Sequence, residues 1–176
     1  MKTHIFSTER VILRKMVPED EDALLELFSD KAVMAYYPSC KNRHDTVKWI
    51  EWTLHHYKVY GFGMWIVEDK ETGQFLGQCG LVLQKLVLGV EVELGYLFAK
   101  RYWGNGYATE AAFACKKYAF KELGLSRLIS LIDPRNKASL KVAKRIGMTY
   151  NRTITKWEKQ LDLYASEKRS EGENEF

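Results

Sequence analysis

The 176-residue sequence predicts a single mixed α/β domain, in which an antiparallel meander leads into alternating helices and strands. Three observations carry that expectation. Extended runs at 63–68, 75–83 and 90–98 are separated only by turn-like segments, as in a meander. From residue 99 onward the pattern changes to helix, strand, helix and two strands. Gly124 and Gly147 then stand just past two helical runs, where a chain leaving a helix favours a residue tolerant of positive φ.

Taken in order, residues 11–16 form a short strand, and Pro18-Glu19-Asp20 opens a helix with acids at its positive end. Ala23, Leu24, Leu27 and Phe28 supply that helix with an apolar stripe. Residues 30–42 hold Pro38 and several tyrosines and read as a loop. Asp45 is placed to cap the next helix, where Trp49, Ile50, Trp52, Thr53, His56 and Tyr57 recur at helical spacing. Residues 70–73 make a hairpin turn inside the meander, and 85–89 a looser one. Then follow a helix over 108–123, a strand over 127–132, a helix over 138–146, and strands near 148–155 and 158–164. Residues 166–176 are polar and aperiodic, so the domain is expected to span 1–165 with a frayed tail behind it.

Composition narrows the function classes. The apolar fraction is 46% and the charged fraction 28%, as in soluble globular proteins. A net charge of +4 with both signs interspersed leaves no nucleic-acid footprint. Cys40, Cys79 and Cys115 are odd in number and far apart, which fits reduced thiols in the cytoplasm, with Cys79 and Cys115 buried. No stretch reads as a signal peptide or a membrane span, so neither secretion nor a membrane partner is expected. The adjacent His55 and His56 read as helix-surface residues, and no metal is expected.

The chemistry concentrates in two places. In Arg101-Tyr-Trp-Gly-Asn-Gly-Tyr-Ala-Thr-Glu-Ala-Ala, Gly104 and Gly106 strip side chains from a strand-to-helix turn. Backbone N–H groups there can converge on an anion, aided by the helix dipole, in a phosphate cradle; a plain tight turn stays open. A dinucleotide fold would want a third glycine where Thr109 stands and an acid about 20 residues on; Asp133 is too far along. No GK[ST] follows, which excludes a P-loop. The second place is Asp133-Pro-Arg-Asn136-Lys-Ala-Ser139, with Asn136 at a helix start and Ser139 one turn in. They could cap and pack, or face a site.

Together these motifs resemble the GNAT superfamily of N-acetyltransferases. Arg101-x-x-Gly104-x-Gly106-x-Ala108 matches its pyrophosphate motif, and Asn136-x-x-Ser139 ending in Lys144-x-x-Gly147-Met148 its second motif. Glu93-Leu94-Gly95-Tyr96, Trp-Gly-x-Gly-Tyr-Ala-Thr-Glu-Ala and Asp-Pro-x-Asn-x-x-Ser look like the ribosomal-protein-alanine (Rim-type) branch. The resemblance covers residues 10–164. It implies a central mixed sheet flanked by helices, in which the meander leads to a strand that splays from a parallel neighbour around acetyl-CoA. Backbone groups of Leu97, Phe98 and Ala99 would pair with the pantetheine arm. N–H groups of Gly104, Asn105, Gly106, Tyr107, Ala108 and Thr109 would hold the pyrophosphate. Asn136 and Ser139 would meet the arm from the other side, and Arg101 and Lys144 would assist the phosphates.

The implied reaction is direct attack on the thioester by an amine, either a protein N-terminus or a small molecule. It needs a base, an oxyanion donor from the splayed strand, and a proton for the thiolate. Glu91 and Glu93 share one strand face about 6.6–7 Å apart. They could serve the amine, or form a solvated pair answered by a cross-strand residue such as Gln78. Glu93 holds the acid position of the Rim-type pattern. Ala143 stands where the superfamily often has a proton-donating tyrosine, so that role passes to Ser139, with Tyr96 and Tyr107 as other hydroxyls. The Tyr36-Tyr37-Pro38 loop is the expected acceptor wall. A non-catalytic acyl-CoA-binding module is the alternative, and a homodimer is compatible with either.

Overall fold

One sheet organises residues 2–168, the part of the chain that the computed structural model describes. Its strands in chain order are β1 (His4–Ser7), β2 (Val11–Lys15), β3 (Met64–Asp69), β4 (Phe75–Leu86), β5 (Gly89–Phe98), β6 (Arg127–Ile132), β7 (Thr149–Lys156) and β8 (Lys159–Glu167). The helices are α1 (Glu21–Ser29), α2 (Arg43–Tyr60), α3 (Tyr107–Lys121) and α4 (Lys137–Arg145). Across the sheet the strands run β1-β2-β3-β4-β5-β6-β8-β7, antiparallel except for the β5–β6 pair. The expected meander and helix–strand alternation are both present.

The sheet is buried on both faces, which explains the continuous apolar runs in β3 and β6. On one face Trp65 of β3 meets Tyr118 of α3 edge-on, with ring centres 5.5 Å apart. On the other face Trp49 of α2 packs against Phe28 of α1 and donates its indole N–H to Gln78 of β4 at 3.0 Å. That face also buries a charged group. Arg14 of β2 forks onto Asp20 at 2.6 and 2.8 Å and reaches Glu68 of β3, so one guanidinium answers two carboxylates.

Several local expectations are corrected. β1 was outside the expected strands; four half-exposed residues carry no alternation to read. The cap of α2 is Asn42, whose side chain accepts from the N–H of Asp45, so Asp45 is the capped residue. His56 is not on the surface. It is buried against Trp52, with ring centres 3.8 Å apart, and desolvation lowers its pKa. Ser166 and Glu167, expected in the tail, still pair with Leu128 and Arg127 in β8; residues 169–176 of that tail lie outside the described residues. Gly124 and Gly147 do take positive φ, 67° and 80°, at the ends of α3 and α4.

Candidate active site at the fork of the sheet

Strands β5 and β6 are in register at one pair, Glu93↔Ile129, and then part. Side chains take over where the ladder stops. Leu94 C=O accepts from the Ser130 hydroxyl at 2.7 Å, and Leu131 N–H donates to the Glu93 carboxylate at 3.2 Å. The fork beyond them exposes one edge of β5. Because an antiparallel ladder alternates, the residues paired to β4 cannot also serve the fork. Ala99 N–H donates to Leu76 C=O at 2.9 Å, which sets the parity: Leu97 turns its backbone groups and Ala99 its N–H to β4, while Tyr96 and Phe98 turn theirs to the fork. Of the three residues expected to grip a ligand arm through backbone, only Phe98 therefore faces it. Tyr96 was missed. The Phe98 carbonyl already accepts from the Trp103 indole at 2.8 Å, leaving its N–H for the fork.

The loop after β5 supplies the next piece. Gly104 and Gly106 have φ of 78° and 81°, and a Cβ on Gly104 would meet nothing within 4 Å, so backbone lies open there. Gly106 begins α3 with no side-chain cap, which leaves the first-turn N–H groups of Tyr107, Ala108 and Thr109 for an anion. Asn105 holds the turn through its amide, which donates to Tyr102 C=O and Trp103 C=O at 3.2 Å each.

The cation beside this loop is not the expected one. Arg101 turns away and pairs with Glu26 of α1 at 2.6 Å, because the short helical turn after β5 points it toward α1. Arg10 takes its place. Its Nη1 donates to Asn105 C=O at 2.9 Å, its Nε to Glu110 at 2.7 Å, and its guanidinium lies 4.6 Å from the Tyr107 ring centre. Glu110 also accepts from Thr8 at 2.6 Å, so the β1–β2 turn clamps the first turn of α3. The one sequence signal for Arg10 is its position just before β2. Lys144 is exposed in the last turn of α4, at the opposite end from Asn136.

Across the fork, Asn136 caps α4 by accepting from Ser139 N–H at 3.1 Å. Ser139 C=O accepts from the Tyr96 hydroxyl at 2.8 Å, tying β5 to α4. Burial pushes the Tyr96 phenol far above its usual range, so it is a poor acid. The Tyr107 hydroxyl faces Asp69, away from the fork. Ser139 lines the cavity beside Asn136, while the Ser130 hydroxyl is committed to Leu94 C=O.

The fork opens onto a cavity of about 450 Å³, whose lining includes Glu93, Gly95, Asn136, Ser139 and the Tyr36-Tyr37-Pro38 loop. The two carboxylates of β5 part company here. Glu91 is tied to Arg127 at 3.2 Å, whereas Glu93 faces the cavity. Desolvation raises the Glu93 pKa, opposed by hydrogen bonds from Gln84 and Leu131 N–H and by the charge of Lys156, which itself donates to Gln84. The cross-strand partner of this pair is thus Gln84, and Gln78 is committed to Trp49. Desolvation, and then the Glu93 charge, push the Tyr37 phenol up to about 12. Tyr36 donates to Arg135 C=O at 3.4 Å, and Arg135 clasps Asp133 at 2.7 and 2.9 Å, holding that carboxyl down at about 2. Trp157, in a β7–β8 turn where it and Glu158 both have positive φ, joins the lining.

The sequence matches the family model described as acetyltransferase (GNAT) domain over residues 10–149. Uncharacterized protein YkkB of Bacillus subtilis (strain 168) is 48% identical over 158 residues, covering 89% of this chain and 92% of YkkB. The crystal structure of an acetyltransferase from Agrobacterium tumefaciens str. C58 superposes with a TM-score of 0.82 at 29% identity, over 93% of this chain and 94% of that one. RimL, a ribosomal L7/L12 alpha-N-protein acetyltransferase solved in complex with coenzyme A, shares the fold. Its TM-score is 0.78 at 17% identity, over 93% of this chain and 97% of RimL.

Proposed function

The chain belongs to the acetyltransferase (GNAT) family, and from that premise we propose that it acetylates a primary amine, on a small molecule or a protein N-terminus, by direct attack. Acetyl-CoA is the co-substrate of the family, and the residues fit it. Backbone faces the fork at Tyr96 and Phe98, and the loop at Gly104 and Gly106 is bare where a pyrophosphate would approach.

The observation that carries the reading is the fork at Glu93. There an open strand edge, a desolvated carboxylate and a cavity meet. Bound acetyl-CoA supplies an activated acyl carbon. The chain's own residues do the rest. Gly104 to Thr109 and Arg10 hold the phosphates, and Phe98 N–H and Asn136 orient the arm. Tyr96 N–H, which faces the fork, would hold the thioester oxygen. Glu93, its pKa raised by desolvation, takes the proton of the incoming ammonium at its carboxylate. Ser139 gives a proton to the departing sulfur. No metal enters this scheme. The reading treats 1–165 as one catalytic domain, and its three free thiols fit a cytoplasmic setting.

The test is a melting-temperature shift with acetyl-CoA, followed by thiol release with a panel of amines. Gly106→Val should melt lower on its own, because φ of 81° is strained for valine, and should lose the acetyl-CoA shift entirely. A retained shift in that variant would overturn the pyrophosphate assignment. Binding without turnover of any amine would favour the acyl-CoA-binding module.

A further inference from the structure

The acceptor cavity holds a hydrogen-bond donor that neither the fold nor the transfer reaction uses, the amide N–H₂ of Gln78. Gln78 is 4% exposed and lines the cavity. Its Oε1 accepts from the Trp49 indole at 3.0 Å. An indole nitrogen only donates, so the orientation of the amide is settled and Nε2 is the other end. Among the described residues none accepts from Nε2. Nε2 is not itself shut off from solvent, and the open volume that Gln78 lines is the cavity, so its donor capacity is available to a ligand there.

Register places this group relative to the carboxylate. On one face of the sheet Gln78 stands opposite Leu97, and Glu93 stands opposite Val82. Four residues of β4 separate the two levels, about 13–14 Å along the strand. Between them the floor is Gly95, where a Cβ would meet nothing closer than the Met64 sulfur at 3.6 Å. Trp49, bonded to Gln78, stacks on Trp52 at 5.1 Å, and Tyr37 lines the cavity with them. The cavity therefore has a carboxylate at one end, a floor without a side chain, aromatic walls, and a hydrogen-bond donor at the other end.

Resting on the acetyl-transfer reading, we propose that the acceptor is a small arylalkylamine whose ring carries a hydroxyl or carbonyl oxygen at the end remote from the amine. The ammonium meets Glu93, the ring lies over Gly95 between aromatic walls, and the oxygen accepts from Gln78 Nε2. With contact distances allowed at each pole, amine and oxygen stand about 7–8 Å apart, given that strand spacing. About 450 Å³ is the size of a small-molecule site. In the reaction the amine nitrogen bonds to the acetyl carbon, the carbon–sulfur bond breaks, and coenzyme A leaves as its thiol.

The probes are tyramine, phenethylamine, which lacks only the ring oxygen, and a peptide with an N-terminal alanine. In the wild type kcat/KM for tyramine should exceed that for phenethylamine by about 10-fold or more, because a site built to bond an oxygen rejects the analogue without it. Gln78→Met keeps length and removes the donor. It should bring the ratio to about one by slowing tyramine alone. Quenching of tryptophan fluorescence with coenzyme A present reads binding independently of turnover and should show the same preference. Equal rates with the two amines in the wild type overturn the proposal, even if the variant does not fold. So does a preference that survives in Gln78→Met. Acetylation of the peptide alone leaves acetyl transfer standing and removes this acceptor. Gln78-dependent quenching by tyramine without turnover of any probe keeps the acceptor and removes acetyl transfer.

Discussion

The donor side of the site is built mainly from backbone, and the acceptor side from side chains. At the fork and the glycine loop the useful groups are N–H groups of Tyr96, Phe98 and residues 104–109, bared by a parting ladder and by two glycines with positive φ. In the cavity they are Glu93, Gln78, Tyr37, Trp49 and Trp157, drawn from β5, β4, the α1–α2 loop, α2 and the β7–β8 turn. A backbone site depends on conformation and so comes from one contiguous stretch. A side-chain site is assembled from distant segments, and can change its ligand without disturbing the other half.

The comparison breaks most visibly at Glu93, which belongs to both halves. Glu93→Gln should cut kcat/KM by about 10²–10⁴-fold at neutral pH while acetyl-CoA affinity holds. The folded pKa of Glu93 is raised, so wild-type activity should fall as pH drops through a value above the ordinary carboxylate range. The variant should lack that limb, and its deficit should shrink at high pH as free amine accumulates. A higher KM with unchanged kcat would instead mean that Glu93 only attracts the cation. Ser139→Ala comes next, with kcat about 10²-fold lower and coenzyme A binding near wild type by calorimetry. Unchanged turnover would leave Ser139 as a helix residue bonded to Asn136 and Tyr96.

Arg10→Ala sharpens the contrast from the donor side. Losing one charged phosphate contact should raise KM for acetyl-CoA about 10-fold. S-acetyl-pantetheine, which has no pyrophosphate, should be used as before. Arg101→Ala should leave both constants unchanged, because Arg101 faces Glu26. The smallest effect is expected at Arg135, whose side chain is mostly exposed. Arg135→Ala should lower the melting temperature only slightly, because solvent screens an exposed pair. Asp133 has its folded pKa depressed to about 2 from 3.8, so the pair's contribution is complete above the ordinary value and lost as pH falls through about 2. The wild-type and variant melting curves should converge there.

Most elements were legible because their signals are local. Periodicity found α2 and the meander, and glycines marked the ends of α3 and α4. The positive-φ turn at Gly104 and Gly106 and the helix start at Asn136 were legible because each motif is contiguous. What stayed hidden depends on register and on contacts across the chain. The sequence of β5 announces a strand, but which of its N–H groups face the fork depends on how β4 is aligned with it. That is why Leu97 and Ala99 were expected to face the fork, where Tyr96 turns its backbone instead. Arg101 and Arg10 differ by the acids they meet, Glu26 and Glu110, each far off in sequence. Ser130 did leave a trace, as a buried hydroxyl in an otherwise apolar strand.

The parting of β5 and β6 also bears on how the molecule holds together. β4 and β5 are matched without a break from Gly77↔Phe98 to Leu86↔Gly89, whereas β5 and β6 share one ladder pair and two side-chain bonds. The sheet is therefore two panels with a seam, and a donor lying in the fork would be the missing stitch. Amide protons of β6 should exchange with solvent faster than those of β4 in the free protein, through a local opening of the seam. At a donor concentration of 100 times its dissociation constant, linkage would close that opening by about 2.7 kcal/mol. The enzyme would then be most nearly a single cooperative unit only while it is loaded.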